Sequence, residues 1–242
     1  MPIPIPLNHC LELTETDLNF FMVYLTGKGQ CWDGGVRVPT IVSWPGHIQA
    51  GISLDELTSS MDVLPTVAKL TGADLPHDRV IDGKDLLPLL TNKTQNSPHE
   101  FLFHYCGNQV HAVRYHPKDT DTVWKAHFMT PKWNEGTESC IGKGVCGCHG
   151  DEVYIHDPPL LYDMTDDPAE SSPIPVHMPE YKEVMEDIYP ALKAHQEGIE
   201  SVPCQLQLAK NFFYPRLQMC CNFPFCSCKE TGREIEHYPE NV

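Results

Sequence analysis

The sequence predicts an α/β protein in which the end of a larger α/β layer precedes a smaller subdomain, a four-stranded antiparallel sheet with one packed helix. A helix-like segment at residues 59–71 follows a β-branched run at residues 36–42. Residues 101–164 then contain four short segments rich in β-branched and aromatic residues, with turns between them. Residues 179–200 repeat apolar side chains at three- and four-residue spacing, which is typical of a helix with one buried face.

The composition limits the size of the core and the classes of partner. The chain has 242 residues, of which 41% are hydrophobic, enough for one good core or one and a half. Its formal net charge of −16 argues against nucleic-acid binding, because no basic stripe is available to neutralise phosphates. A negative surface also provides no general attraction to anionic lipid. An anionic substrate would therefore need a local positive group, and Lys28 is the candidate.

The first hundred residues begin with a leader and then form the α/β part. Residues 1–25 are rich in proline, polar and acidic residues and predict a loose leader, although the apolar residues 19–26 suggest a buried strand. The β-branched residues 36–42 predict a strand in a largely buried sheet. A helix capped by Ser59 and Ser60 should end at Gly72, and residues 85–90 should form a second short helical turn.

The pattern changes to strands after residue 100. We expect strands at residues 101–105, 110–115, 123–129 and 160–164, with residues 117–121 as the loop of a hairpin. In the final helix one face should carry five side chains: Val184, Ile188, Ala191, Leu192 and His195. Pro190 should kink or split that helix.

Residues 27–39 form the most informative segment, G-K-G-Q-C-W-D-G-G-V-R-V-P. Glycines on both sides of Lys28 allow a tight turn, and an ammonium is a compact charge that suits an oxyanion such as sulfate. A bare Gly-Lys-Gly is more often a surface loop with a solvated lysine. The longer pattern G-K-x(3)-W-[DE]-G-G-[IV]-R-V-P, however, closely resembles a segment of the sulfatases. The resemblance implies that Lys28 contacts the substrate sulfate.

Three further blocks resemble sulfatase segments in the same order. They are residues 59–67, residues 82–90, and residues 158–164 with the following Asp167, Pro168 and Glu170. The cysteine-rich details narrow the resemblance to the branch of steroid sulfatases and their related arylsulfatases. It covers roughly residues 26 to 230 and implies part of the alkaline-phosphatase-like sulfatase fold.

The resemblance also implies four regions along the chain. Residues 1–25 match nothing in the family and form the leader. Residues 26–100 would be a remnant of the α/β catalytic domain, and residues 101–200 the C-terminal antiparallel subdomain with its helix. Residues 201–242 would form a cysteine-rich tail.

The activity implied by the resemblance is hydrolysis of aryl or steroid sulfate esters. The family's nucleophile is a formylglycine made from the cysteine of a C-x-P-x-R motif, and none of the eleven cysteines here opens one. The family's calcium is held by pairs of oxygen ligands that precede the Gly-Lys-Gly loop, and in that stretch this chain has a single aspartate, Asp17. We therefore predict an inactive chain without calcium ligands, whether a partial gene model, a splice form or a degenerate copy. The alternative is a non-catalytic interaction or binding protein that keeps part of the fold.

Other residue types that could do chemistry are interpreted as structural. Asp33 and Arg37 should brace the loop, as an ion pair or through backbone hydrogen bonds, and Trp32 should pack beneath it. The adjacent Asp166 and Asp167 lie in a late turn. Histidines of the strand region are expected to be packing or surface residues: His104, His111, His116, His127, His149 and His156.

Eleven cysteines indicate disulfides, because thiols stay reduced in the cytosol. Zinc is the competing explanation, but the single-residue spacings of Cys146/Cys148 and Cys226/Cys228 fit zinc ligands poorly. Spacing alone does not give the connectivity. The resemblance implies four pairs: Cys106 with Cys148, Cys140 with Cys146, Cys220 with Cys226, and Cys221 with Cys228. Three cysteines are then left over: Cys10, Cys31 and Cys204.

Cysteine content and the resemblance together predict the secretory pathway: endoplasmic reticulum, Golgi or lysosome. The sequon at Asn92 fits a glycosylated surface loop, although a sequon alone is a weak signal. The first residues make a poor signal peptide, and residues 20–25 are too short to cross a membrane. Aromatic residues at 212–215 and 223–225 could touch a membrane surface or be core residues pinned by the adjacent disulfides.

Overall fold

The computed structural model of the chain describes residues 30–118, 120–134, 140 and 146–199. Up to Glu197, these residues belong to one compact unit. The helices are α1 (Asp33–Val36), α2 (Val63–Thr71), α3 (Leu87–Leu90) and α4 (Pro179–Gly198), with short 3-10 turns at Ser60–Asp62 and Gly150–Glu152. The strands are β1 (Phe101–Cys106), β2 (Gln109–Tyr115), β3 (Trp124–Pro131) and β4 (Val153–Asp163).

The four strands form one antiparallel sheet in the order β1-β2-β3-β4, which confirms the predicted sheet. Strand β4 begins at Val153, seven residues before the predicted start at residue 160. Two prolines, Pro158 and Pro159, concealed its first half in the sequence. They are tolerated because β4 is an edge strand, where a missing N–H need not break a ladder.

The two faces of the sheet carry different side chains. Because side chains alternate along a strand, Val113 and Ala126 lie on one face, whereas Arg114, Lys125 and His127 lie on the other. The first face packs against α4 to form the main core, whose buried members are Val110, Val113, Tyr115, Ala126, Leu161, Tyr181, Val184, Met185 and Ile188. The second face therefore has charged groups at its centre.

Helix α4 continues through Pro190 without a break, so of the two predicted effects of this proline the split was wrong, and the kink stays a prediction. Proline removes one backbone hydrogen bond, but Pro190 lies on the exposed side, where water can satisfy the freed carbonyl. Buried residues such as Val184 and Ile188 keep the helix on the sheet. In the described part of the chain, no helix has the length and apolar character needed to cross a membrane.

The 3-10 turn Ser60–Asp62 and the helix α2 that continues it together confirm the predicted helix and its ends. Ser59 accepts a hydrogen bond from the Met61 N–H, while the Asp62 carboxylate accepts one from the Ser59 N–H, which together form a capping box. Gly72 ends the helix in the left-handed conformation, with φ of 70°. Asp62 is fully buried and also binds the Lys84 N–H and the His99 ring. This carboxylate therefore connects α2 to the segments that precede α3 and β1.

The predicted strand at residues 36–42 was wrong. Beyond α1 this segment has no regular structure, and Val38, Ile41 and Val42 are 70%, 92% and 47% exposed. β-branched residues favour a strand only when a neighbouring strand supplies hydrogen bonds and packing. Among the described residues, no strand lies beside this segment. The predicted leader and the strand at residues 19–26 lie outside the described residues.

Candidate functional site

The loop that contains Lys28 is described from Gln30 onward, so Lys28 itself lies outside the described residues. Its continuation is buried from Gln30 to Asp33. The Trp32 carbonyl accepts hydrogen bonds from the N–H groups of Gly35 and Val36, at 2.8 and 3.1 Å, and these bonds make the single turn α1. The residues described after the lysine thus form a packed turn.

Trp32 fixes this turn on the charged face of the sheet. Its ring is 6% exposed, lies 4.2 Å from the His127 ring centroid and meets Tyr162 edge-on at 5.7 Å. Such aromatic contacts add to the free energy of apolar burial. The expectation that Trp32 packs beneath the loop is confirmed.

Asp33 joins the turn to two cations of the sheet. Arg114 Nη1 lies 2.9 Å from both carboxylate oxygens, and Lys125 Nζ lies 2.7 Å from Oδ1. Arg114 and Lys125 are direct partners in the β2–β3 register, so both reach the same carboxylate. Asp33 does brace the loop, as expected. It is joined to Arg37 through the backbone, with the Arg37 N–H donating to the Asp33 carbonyl at 2.8 Å.

Glu170 completes the cluster from the loop after β4. Its Oε1 lies 2.9 Å from Lys125 Nζ and 2.7 Å from His127 Nε2, and its Oε2 accepts a 2.6 Å hydrogen bond from the Asp33 N–H. Because a carboxylate only accepts, His127 must carry its hydrogen on Nε2. One buried carboxylate therefore binds both the sheet and the backbone of the turn.

The charges of the cluster are balanced inside the protein. Burial alone would raise the pKa of Asp33, but the charges of Lys125 and Arg114 outweigh it and keep that pKa below its usual value. Burial would likewise raise the pKa of Glu170, but the hydrogen bond from His127 and the charge of Lys125 lower it. Burial lowers the pKa of His127 to about 4, so this ring is neutral at neutral pH. Two carboxylates thus face two cations.

His104 borders the same cluster on β1. Burial, followed by the charges of Lys125 and Arg114, lowers its pKa to about 3, so it adds no charge at neutral pH. Three residues of the cluster, together with His104, hold buried polar atoms without a hydrogen-bond partner among the described residues: Trp32 Nε1, His104 Nε2, Arg114 Nε and His127 Nδ1. The residues of the cluster hold the turn in place, and none of them is an exposed nucleophile. The role that this geometry supports is to position the turn.

Sequence reasoning identified Asp33 but not the other charged members. A lysine at the centre of an apolar strand segment, V-W-K-A-H-F-M, was the available signal for Lys125, since such a lysine must find a buried partner. Arg114 had the same signal on β2. Nothing in the local pattern of Glu170 shows that it meets Asp33, 137 residues away.

The family model for the C-terminal region of aryl-sulfatase matches residues 97–228, more than half of the chain. The chain belongs to the sulfatase family. A second family model, the C-terminal part of N-sulphoglucosamine sulphohydrolase, matches residues 25–134 and so includes Lys28 and the packed turn.

Over the aligned positions, curated sulfatases are identical to this chain at close to half of the residues. Arylsulfatase D of Homo sapiens is 48% identical over 214 residues, which cover 87% of this chain and 36% of that protein. Steryl-sulfatase of Homo sapiens is 47% identical over 209 residues, covering 86% of this chain and 36% of that protein. The chain thus spans about a third of the length of these relatives.

Solved sulfatase structures share the fold. The crystal structure of the PsFucS1 sulfatase from a Pseudoalteromonas species superposes with a TM-score of 0.52 at 24% identity, over 70% of this chain and 33% of that one. The predicted class, part of a sulfatase fold with a four-stranded antiparallel sheet and a packed helix, is thereby confirmed. The region boundaries at residues 25, 100 and 200 stay predictions.

The described part of this sulfatase chain contains two disulfides. They join Cys106 to Cys148 and Cys140 to Cys146, two of the four pairs implied by the resemblance. The other two pairs, at Cys220, Cys221, Cys226 and Cys228, lie outside the described residues, as do the unpaired candidates Cys10 and Cys204. Cys31 is a free, buried thiol whose pKa burial raises to about 11.

The remaining candidates have structural surroundings. Asp167 accepts hydrogen bonds from the N–H groups of Ser171 and Ser172, both at 2.8 Å, and so braces the late turn. Other histidines bind backbone carbonyls or a hydroxyl: His111 with the Cys148 carbonyl, His116 with the Thr120 carbonyl, and His156 with the Thr130 hydroxyl. Among the described residues, no three His, Cys, Asp or Glu side chains could together hold a metal ion. The absence of the family's calcium ligands stays a prediction.

Asn92 is exposed in the turn that follows α3, with φ of 56°. Its side-chain oxygen accepts a hydrogen bond from Gln95 Nε2 at 2.6 Å. Thr94, the third residue of the sequon, is exposed as well. The sequon is therefore on the surface of the described fold.

Proposed function

We propose that this chain serves a sulfuric ester hydrolase of the arylsulfatase and steryl-sulfatase type, which cleaves aryl or steroid sulfate esters. Its contribution would be Lys28, whose ammonium binds a sulfate oxygen and stabilises negative charge that develops during hydrolysis. The supporting observation is the buried cluster that holds the turn after Lys28 on the sheet. A fixed charge stabilises a transition state better than a mobile one, because it needs no reorganisation during the reaction.

Lys28 alone cannot hydrolyse a sulfate ester. The reaction also needs a nucleophile and a proton for the leaving alcohol, and no cysteine of this sequence opens the C-x-P-x-R motif. We therefore expect the 242-residue chain by itself to release no sulfate from aryl or steroid sulfates, with or without calcium. Sulfate release above background would overturn that expectation.

Sulfate binding by Lys28 can be tested without turnover. We expect sodium sulfate to slow acetylation of Lys28 in the full chain, measured by mass spectrometry against sodium chloride at equal ionic strength. Lys193, which is 77% exposed, is the matched internal control and should react equally fast in both salts. Equal acetylation of Lys28 in both salts would contradict its proposed role.

A second function, a non-catalytic interaction protein, is favoured by the exposed apolar face of α2 and its lead-in. Five side chains there are between 47% and 62% exposed: Met61, Val63, Leu64, Val67 and Leu70. Contiguous apolar surface of this kind commonly marks a contact with another protein. Replacing Val63 and Val67 by serine should raise the solubility of the chain if this face binds an apolar partner or a second copy. Unchanged solubility and elution volume would count against this function.

We also propose that the protein resides in the secretory pathway and that Asn92 is glycosylated. Two disulfides and a surface sequon support this. In secretory expression, peptide N-glycosidase should shift the mass of the chain, and Thr94→Ala should abolish that shift. Thr94→Ser keeps the sequon and should preserve the mass shift.

Contact of residues 212–215 and 223–225 with a membrane surface is a further proposal, which co-sedimentation with lipid vesicles tests.

A further inference from the structure

Glu170 adopts a backbone conformation that its residue type disfavours. Its φ is 55°, in the left-handed region where a Cβ atom crowds the following carbonyl and glycine is the usual residue. The side chain is also 2% exposed, so a charged group has been taken out of water. Both features are unfavourable, and they persist only where the surrounding contacts compensate for them.

The two carboxylate oxygens of Glu170 bind different parts of the protein. Glu170 Oε1 binds the side chains of Lys125 and His127, both from β3. Its Oε2 binds the backbone N–H of Asp33. The Asp33 carboxylate balances charge on the sheet, but the Glu170 bond acts on the main chain of the turn. It therefore determines where that main chain lies relative to β3.

We propose that Glu170 is the positioning residue for the Lys28 loop: by holding the Asp33 N–H against β3 it fixes the turn that begins at Asp33, five residues after Lys28. This inference rests on the proposed role of Lys28 in sulfate binding. Glycine at position 170 would relieve the backbone but remove the carboxylate. Aspartate would keep the charge, but its side chain is shorter by one methylene group, so the carboxylate would not reach the Asp33 N–H.

The first test is hydrogen–deuterium exchange of the full chain. Glu170→Ala should speed exchange in residues 30–37 by about tenfold or more, since the lost hydrogen bond involves a charged acceptor. Glu170→Asp should speed exchange there by a similar factor, while peptides from β2 and β3 keep wild-type rates because the buried lysine retains its counter-charge. Asp166→Asn, an exposed carboxylate of the same loop, should change neither.

Two outcomes of that test would overturn the inference. One is wild-type exchange in residues 30–37 of both Glu170 variants. The other is an equal loss of protection in the turn and in the sheet of Glu170→Asp, which would make Glu170 a general stabilising residue.

The second test measures sulfate protection of Lys28 from acetylation in the same variants. Wild-type chain and Asp166→Asn should show protection, and Glu170→Asp should lose most of it. Protection that persists in Glu170→Asp would overturn the link to Lys28. Absence of protection in the wild type would instead contradict the proposed function, while the exchange result still decides whether Glu170 positions the turn.

Discussion

Replacing Lys125 by methionine is the sharpest perturbation of the cluster. Methionine has a similar length and packs well in a buried site, so the change removes the charge with little loss of volume. The ammonium has no exposed surface and lies 2.7 Å from Asp33 and 2.9 Å from Glu170. Without it, two buried carboxylates share one remaining cation, Arg114.

The expected cost of this substitution is large. Removing one partner of a buried ion pair lowers the free energy of unfolding by about 3 to 5 kcal/mol, because it leaves a charge without compensation. Domains of this size are stable by about 5 to 15 kcal/mol, so the variant should unfold at a much lower urea concentration. The additional change Glu170→Gln should restore part of the loss, since it returns the cluster to charge balance.

The pH dependence gives a second readout of Lys125→Met. In the wild type the pKa values of Asp33 and Glu170 are lowered, so their stabilising contribution is present above the ordinary values of 3.8 and 4.5 and is lost as pH falls through the lowered ones. In the variant one buried carboxylate has no counter-charge, so its protonation restores part of the stability of the folded state. The difference between the two proteins should therefore be larger at about pH 7.5 than at about pH 5.

Urea unfolding followed by tryptophan fluorescence measures both quantities. Lys193→Met, at an exposed lysine, should change the free energy of unfolding by less than about 0.5 kcal/mol. If Lys125→Met costs less than about 1 kcal/mol at neutral pH, the cluster does not hold the turn in the way its geometry indicates.

Three further predictions concern other parts of the fold. Burial lowers the pKa of His127 to about 4, so the free energy of unfolding should fall by about 1.4 kcal/mol per pH unit between pH 6.5 and 4 through this residue, and His127→Gln should flatten that slope in urea titrations. Gly83→Ala should destabilise the chain by about 1 to 3 kcal/mol in thermal unfolding, because the added methyl group would collide with the backbone carbonyl of Met61. Replacing both Cys106 and Cys148 by alanine should cost about 2 to 4 kcal/mol, measured by urea unfolding, since the disulfide closes a segment of 42 residues.

Controls for these three predictions come from the same chain. Gly198→Ala adds a methyl group into open space and should be neutral or slightly stabilising. A pH slope that is the same in His127→Gln and in the wild type would mean that other groups cause it. Under reducing conditions, which open the Cys140–Cys146 bond in both proteins, the double-cysteine variant and the wild-type chain should be equally stable. A large difference between them there would refute the assignment of the lost stability to the Cys106–Cys148 disulfide.

Local patterns were sufficient for elements whose signals are local. The helix from Ser59 to Gly72 was predictable because its cap and its stop lie in the sequence beside it. Apolar spacing in α4 identified Val184 and Ile188 as buried. The strand predicted at residues 36–42 was wrong because its signal was not sufficient locally. β-branched residues favour a strand, but only a neighbouring strand can satisfy that preference.

The sequence by itself determined the family, the antiparallel subdomain and Lys28 as the residue that resembles a sulfate ligand. Only the tertiary structure decided what holds the turn after that lysine. Lys125 and Arg114 are directed to one carboxylate by β-strand register, and Glu170 reaches Asp33 across 137 residues of chain. Buried charges must be paired wherever folding brings them together. The partner is therefore chosen by the three-dimensional arrangement of the strands and loops.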